Sequence, residues 1–381
     1  ILEYNEEKPS KNTAVVVADP SNGEILGMAS YPTFNLNDPR KLTGMYTDEE
    51  IKDMSDEEYR NNLYSLWTNY CVSESYEPGS TFKPVTVASA LEEGVVKDGD
   101  TYVCKGFETV ADYKLKCHVF STIGSHGSLT VEQALMNSCN PYMIHLALEM
   151  GNSRFAYYQS LFGFGKITGI DLPGETTGIV YGDRMTTIDA ACNSFGQTIN
   201  VNMMQMMAAY CSIINGGMLY QPHIVKRIES ANGEVVKEYK ANLVRQTITA
   251  STSKLLRRYL KNTVEEGTAK KAGVTGYSVA GKTGTAQKGD RKDNKWIISF
   301  IGHAPAENPK FAIYVVIDEP YGTTGTSGSS ADVLTLTHNI LEKLLPYMNV
   351  YKDASDEYED TSSSPDELTV DGIPAGTASS N

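Results

Sequence analysis

Residues 276–294 read GYSVAGKTGTAQKGDRKDN, and the way this stretch folds decides the fold class of the whole chain. Two readings compete. As a motif, Gly276 to Thr283 fits GxxxxGK[ST], a loop that cradles phosphates between a buried strand and a helix, and residues 311–319, FAIYVVIDE, would resemble the acid-ended strand that accompanies such loops. By periodicity, residues 277–287, YSVAGKTGTAQ, alternate as an edge strand bordering a cleft does. The flanks decide against the phosphate loop. The preceding stretch, LKNTVEEGTAKKAGVTG, is helical and polar where a buried strand is required, and the following GTAQKGDRKDN cannot open a helix. Lys282, Thr283 and Gly284, continued by Thr285, therefore lie on a strand. They offer a cation, hydroxyls and a bare backbone against which a substrate backbone could lie.

Two further strands follow at 296–303 and 311–318, joined by the polar turns QKGDRKDNK and AENP, and then a helix at about 330–346. At the other end of the chain, residues 13–30 read as a hairpin about Pro20-Ser21-Asn22-Gly23. A polar, acidic stretch to about residue 75 shows no clear period. The middle is helical. One helix runs from Ser80 to about Glu93 and stops at Gly94. The next is announced by Thr130 and Gln133 and reaches about Asn137. A third has Asn140 as N-cap, Pro141 first in the helix and Gly151 at its end. Others are expected near 152–162, 202–214 and 250–266. Strands at both ends around a helical middle predict a mixed sheet assembled from the two ends of the chain.

Residues 77–84, EPGSTFKP, hold a chemically suggestive pair. On a helix, Lys83 shares a face with Ser80, and a neutral lysine can act as base for a serine nucleophile. Neutrality requires the pKa of the amine to fall about three units below about 10.4, a cost of about 4 kcal/mol, which burial and a second cation can supply. Pro84 has no N–H for the Ser80 carbonyl, so Ser80 sits at the irregular start of the helix. Ser138-Cys139-Asn140 places a hydroxyl and an amide on the turn between two helices. Each motif alone is weak: Ser251 to Lys254, Ser230-Ala231-Asn232 and Ser379-Ser380-Asn381 match the first two patterns and read as a solvated helix face, a turn and a chain end.

Order and flanks strengthen the set. The series Ser80/Lys83, Ser138/Asn140, Lys282-Thr283-Gly284 resembles the penicillin-binding protein transpeptidases, a family whose motif set is a standard one. The segments EPGSTFKP, MNSCNPYM, VAGKTGTAQ, FGFGKITGIDLPGE and SFGQTINVNMMQMMAAYCSIINGG carry the resemblance over about residues 13 to 348. It implies an α/β fold with a five-stranded, mainly antiparallel sheet flanked by helices, plus an all-helical portion. It implies a peptidoglycan D,D-transpeptidase of the monofunctional, class B type. In it Ser80 would be nucleophile, Lys83 base, Ser138 relay and Asn140 the group positioning the donor stem peptide. Lys282 would set the electrostatics and depress Lys83, Thr283 and Thr285 would meet the substrate carboxylate, and the backbone N–H groups of Ser80 and Thr285 would form the oxyanion hole. β-Lactams would acylate Ser80. A β-lactamase, a D,D-carboxypeptidase or a β-lactam sensor remain open on the same motifs.

Composition sets the remaining bounds. The chain has 381 residues, 40% hydrophobic and 21% charged, enough for a sizeable core. Its longest apolar run, Phe311 to Ile317, is too short to span a bilayer. The resemblance implies a membrane anchor upstream, work on the extracytoplasmic face of the membrane and cell-wall synthesis machinery as a partner. A net charge of −14 argues against nucleic acid as partner. Residues 1–12 read as the end of a linker, 13–350 as the transpeptidase domain and 351–381 as an acidic, disordered tail or linker. No cofactor is expected. The six cysteines form no CxxC pair and the histidines show no ligand spacing to them, so no metal is expected either. An extracytoplasmic setting makes a redox-sensitive disulfide among Cys104, Cys117 and Cys139 an alternative to ordinary thiols.

Overall fold

The computed structural model describes residues 1–42, 45–289, 295–320 and 330–353. Five strands make the main sheet: β1 (Ser10–Ala18), β2 (Ile25–Tyr31), β3 (Ala280–Lys288), β4 (Lys295–Ala304) and β5 (Phe311–Pro320). They lie in the order β3-β4-β5-β1-β2, and every neighbouring pair is antiparallel. The sheet is thus closed by pairing the N-terminal hairpin with the last strand. Val15 faces Val315 across β1 and β5, and β3 is left as one edge.

Alternation assigns the two faces. Along β5, Ala312, Tyr314 and Val316 turn to one side, and Phe311, Ile313, Val315 and Ile317 to the other. Because β5 is covered on both faces, its sequence reads as an unbroken apolar run. One face packs against α6 (Ser330–Tyr347) through Val333, Leu334, Leu341 and Leu345. The other carries the larger core, built on α1 (Lys83–Glu92), α2 (Val131–Met136), α3 (Asn140–Met150), α4 (Met203–Ile214) and α5 (Ala250–Glu265). All twelve residues of α4 are buried, which is why it reads as a methionine-rich apolar block and not as an amphipathic helix.

The structure corrects the sequence reading in four places. The stretch before residue 75 holds helices at Asp48–Asp53, Asp56–Trp67 and Tyr70–Ser73. Thr47 and Glu50 form a capping box for the first and Ser55 caps the second. They show no period because they bury only a small cluster about Leu42, Leu63 and Leu66. A helix at Thr187–Asn193, capped by Thr186 and Asp189, was also not expected. The portion expected to be all-helical contains four two-stranded sheets, among them Thr101–Cys104 with Gly127–Thr130 and Phe107–Val110 with Tyr113–Lys116. Finally, Asn140 is the first residue of α3 and Cys139 its N-cap, so the amide of Asn140 is released from capping for other use. The expected tail lies, from residue 354 on, outside the described residues.

α6 packs on one face of the sheet, beside Val264, Ala269, Ala272 and Val274. Leu341, fully buried there, should cost about 3 kcal/mol when replaced by Ala, through lost transfer energy and the cavity left behind. Urea unfolding of L341A against the parent measures this, and an unchanged midpoint would contradict the packing described.

Candidate active site

Ser80 sits on a single 3₁₀ turn, Gly79–Phe82, that runs directly into α1. Pro84 makes the join irregular, as its missing N–H requires, and Lys83 N–H bonds back to the Ser80 carbonyl. The turn is wedged between two backbones. Gly79 has φ +56°, and a Cβ there would stand 2.5 Å from Thr285 O. On the other side, Gly196 has φ +80°, and its Cβ would meet Gly79 O at 2.0 Å; its carbonyl accepts Gly79 N–H at 2.9 Å. Glu77 anchors the same region by accepting the Thr198 N–H at 2.8 Å. The segment around Gly196 holds the turn of Ser80 against β3.

Lys83, fully buried, donates to three acceptors: Ser138 O at 2.6 Å, Ser138 Oγ at 3.0 Å and Asn140 Oδ1 at 2.7 Å. Ser138 Oγ donates in turn to Ser80 Oγ at 3.0 Å. Among the described residues, Lys83 therefore meets Ser80 through Ser138 and not by the direct contact that helix spacing suggested. Ser138 achieves this with a left-handed backbone, φ +53°, at the end of α2. A non-glycine residue there costs of order 1–3 kcal/mol and persists because its surroundings hold it. Its N–H goes to Leu135 O at 3.2 Å and that of Cys139 to Ala134 O at 2.8 Å.

Lys282 reaches the same hydroxyl from the opposite wall, donating to Ser138 Oγ at 3.1 Å and to Thr283 O at 3.1 Å. Two buried amines thus converge on one hydroxyl. Burial pushes Lys83 down to about 8, while the nearby Cys139 and Cys117 thiols pull it upward. Lys282 lies well below the usual lysine range, through burial first and the Lys83 charge second. The repulsion between the two amines is mutual: whichever keeps its proton disfavours one on its neighbour.

Thr283 is buried with its hydroxyl 3.5 Å from that of Thr268, and Thr285 is partly open beside Gly79. Gly284 was expected to leave room for a substrate. Instead, a Cβ there would meet Ser299 Oγ at 2.5 Å, Pro78 O at 2.8 Å and Thr81 Cγ2 at 2.9 Å. The protein's own Ser80 turn and β4 occupy that space.

Cys139, between Ser138 and Asn140, turns away from Ser80 into a second cluster. Its sulfur and those of Cys104 and Cys117, with a ring nitrogen of His126, all lie within 4.8 Å of one another. The expectation that no histidine stands in ligand relation to the cysteines is corrected here, because four separate element ends deliver the four groups. His126 was missed for the same reason. No disulfide joins any of the six cysteines. A cavity of about 570 Å³ between the N-terminal helix Leu2–Glu7 and α6 is lined by Tyr4, Leu336 and Ile340 and lies on the far side of the sheet from Ser80.

Comparison with solved structures gives the class first. Penicillin binding protein 3 of Mycobacterium tuberculosis, in a complex with ampicillin, superposes with a TM-score of 0.77 at 27% identity, covering 93% of this chain and 76% of that one. The D,D-transpeptidase domain of a peptidoglycan glycosyltransferase from Eggerthella lenta gives the same TM-score and identity over 92% and 81%. A family model described as the penicillin binding protein transpeptidase domain matches residues 13–342. The chain belongs to that family. Stage V sporulation protein D of Bacillus subtilis is 38% identical over 356 residues, which are 92% of this chain and 51% of that protein. The peptidoglycan D,D-transpeptidase FtsI of Escherichia coli is 30% identical over 351 residues, 91% and 53%. The chain spans about half the length of these two relatives.

The close fit at Gly284 is testable. G284A should destabilise the fold by about 2 kcal/mol, because β3 and the Ser80 turn must part to admit the methyl group. G27A, where a Cβ meets nothing within 4 Å, serves as control and should leave the thermal midpoint in place. Equal midpoints for the two variants would remove the argument.

Proposed function

We propose that this chain is the catalytic domain of a peptidoglycan D,D-transpeptidase of the class B kind, working through an acyl-enzyme on Ser80. The observation that supports it most is the unbroken series Ser80 Oγ, Ser138 Oγ, Lys83 Nζ, with its amine buried. A buried amine depressed to about 8 is neutral in part of the population near neutral pH and can then accept a proton.

In this reading Ser80 Oγ attacks the carbonyl between the two terminal D-alanines of a donor stem peptide. Its proton passes to Ser138 Oγ, which gives its own to the neutral Lys83 amine. The peptide C–N bond breaks, and the departing D-alanine amine takes the proton back along the same path. This leaves an ester on Ser80. The amine of a second stem peptide attacks that ester, forming the crosslink and returning a proton to Ser80. The developing oxyanion faces the backbone N–H groups of Ser80 and Thr285, each worth about 3 kcal/mol in comparable sites. Thr283 and Thr285 meet the substrate carboxylate, Asn140 positions the donor peptide while holding Lys83, and Lys282 supplies positive potential when protonated. A β-lactam presents the same kind of carbonyl and stays bound as the acyl group. The reaction needs no cofactor.

Peptidoglycan lies outside the cell membrane, so the domain is assigned to the extracytoplasmic face, held there by an anchor elsewhere in the longer protein and acting beside the cell-wall synthesis machinery. Among the described residues no helix is long and apolar enough to cross a membrane. Residues 13–350 are taken as the catalytic unit.

Incubation with a penicillin, followed by intact mass, tests this reading. A long-lived adduct of one drug mass is expected on the parent and none on Ser80→Ala. Steady drug hydrolysis with only a transient adduct would transfer the chain to the β-lactamase class. Absence of any adduct on folded protein would overturn the reading.

A further inference from the structure

Beside the serine site, the segment from Cys104 to Cys139 carries a feature that the acyl-transfer chemistry does not use. Cys104 ends the strand Thr101–Cys104, Cys117 follows the strand Tyr113–Lys116, His126 precedes the strand Gly127–Thr130, and Cys139 is the N-cap of α3. All three cysteines are buried. Four parts of the chain thus deliver three thiols and an imidazole to one point, with ligand atoms no more than 4.8 Å apart.

The spacing suits a tetrahedral ion. With zinc–sulfur bonds of about 2.3 Å and zinc–nitrogen bonds of about 2.0 Å, the edges of the tetrahedron are about 3.8 Å between sulfurs and about 3.5 Å from sulfur to nitrogen. Here Cys104 Sγ lies 3.8 Å and Cys117 Sγ 3.5 Å from Nδ1 of His126. The surroundings suit thiolates. Gly106 N–H donates to Cys104 Sγ at 3.4 Å. Gly106 is held in this turn at φ +86°, where a Cβ would stand 2.0 Å from Gly124 O.

The strands that carry these cysteines are themselves only partly buried. Strand Tyr113–Lys116 has three exposed residues of four and Thr101–Cys104 has two, and two-stranded hairpins with so little burial are marginal by themselves. A disulfide would use two of the three thiols and leave the third thiol and His126 without purpose. We propose that Cys104, Cys117, His126 and Cys139 form a structural zinc site that braces the turn carrying Ser138 and Asn140. Three thiolates and one imidazole fill four positions, so the ion has no open place for substrate and acts on the fold alone. Its effect on the serine site runs through Cys139, whose two chain neighbours supply all three acceptors of Lys83.

The test begins with metal content. The full chain, produced under reducing conditions with zinc and passed through a desalting column, should retain one zinc by elemental mass spectrometry. Cys104→Ser and His126→Ala should each lose most of it. Should those variants fail to fold, cobalt(II) exchanged into the parent decides the matter: visible bands of a tetrahedral ion and thiolate-to-metal charge transfer support the site. Less than about a tenth of an equivalent of zinc on parent protein with free thiols would overturn the proposal, and so would a disulfide between any two of these cysteines in zinc-treated protein. Removal of the zinc by chelator should lower the thermal midpoint. It should also slow penicillin acylation about tenfold, the scale on which shells around functional groups act. That last readout rests on the proposed role of Ser80, whereas zinc content does not. Unchanged acylation after complete zinc loss would overturn the bracing of Ser138 and Asn140.

Discussion

The structure turns on one buried ammonium group. Lys83 has no contact with solvent, and its nitrogen finds its three acceptors on Ser138 and Asn140. A charged amine stripped of water is costly, and it persists only where acceptors are fixed in advance. The fold provides them through a strained residue. Ser138 adopts a left-handed backbone so that its carbonyl and its hydroxyl both point at one amine. Asn140, freed from capping, adds the third. Any movement of the turn between α2 and α3 would leave the amine unpaired, so the position of that turn controls the protonation of the site.

The rest of the architecture can be understood as holding this turn against a strand. The turn of Ser80 is clamped between Gly196 and Thr285, and bare Cα atoms at Gly79, Gly196 and Gly284 are what allow three backbones to approach so closely. The strand is itself an edge, so its Lys282 and Thr285 remain available at the boundary between sheet and helices. The sheet supports this edge from behind through β4 and β5, whose far face is sealed by α6. Stability and chemistry therefore share elements here: loosening the α6 face would be felt at Lys282 through two strands.

Much of this was legible in the sequence because it is local. The strands at 296–303 and 311–318 and the capped helix after Thr130 follow from periodicity and caps, and the structure places them within a few residues of those limits. The gathering of Ser80, Lys83, Ser138 and Lys282 rested on resemblance, since motifs 58 and 144 residues apart cannot be joined by any local rule. What failed was non-local. The purpose of Gly284 depends on Pro78 and Ser299, and Asn140 reads as a cap until Lys83 is seen to claim it. The Cys104, Cys117, His126 and Cys139 cluster has no sequence spacing to announce it, because hairpin ends and a helix start bring its members together. The early helices about Asp48 and Asp56 had caps that could have been read, but too few buried apolar residues to show a period.

The most direct measurement is the pH dependence of the second-order rate of acylation by a penicillin, whose own carboxylate stays ionised throughout. In the proposed mechanism the base must be neutral to act, and the folded protein holds Lys83 below its ordinary value, at about 8. The rate should therefore be low in mild acid, rise through an apparent pKa near that value and then level off, the value belonging to the coupled pair of lysines. Lys83→Met should lose both the rise and most of the rate. A parent profile that is flat through this range, or that falls as the pH rises, would contradict a buried amine acting as the base.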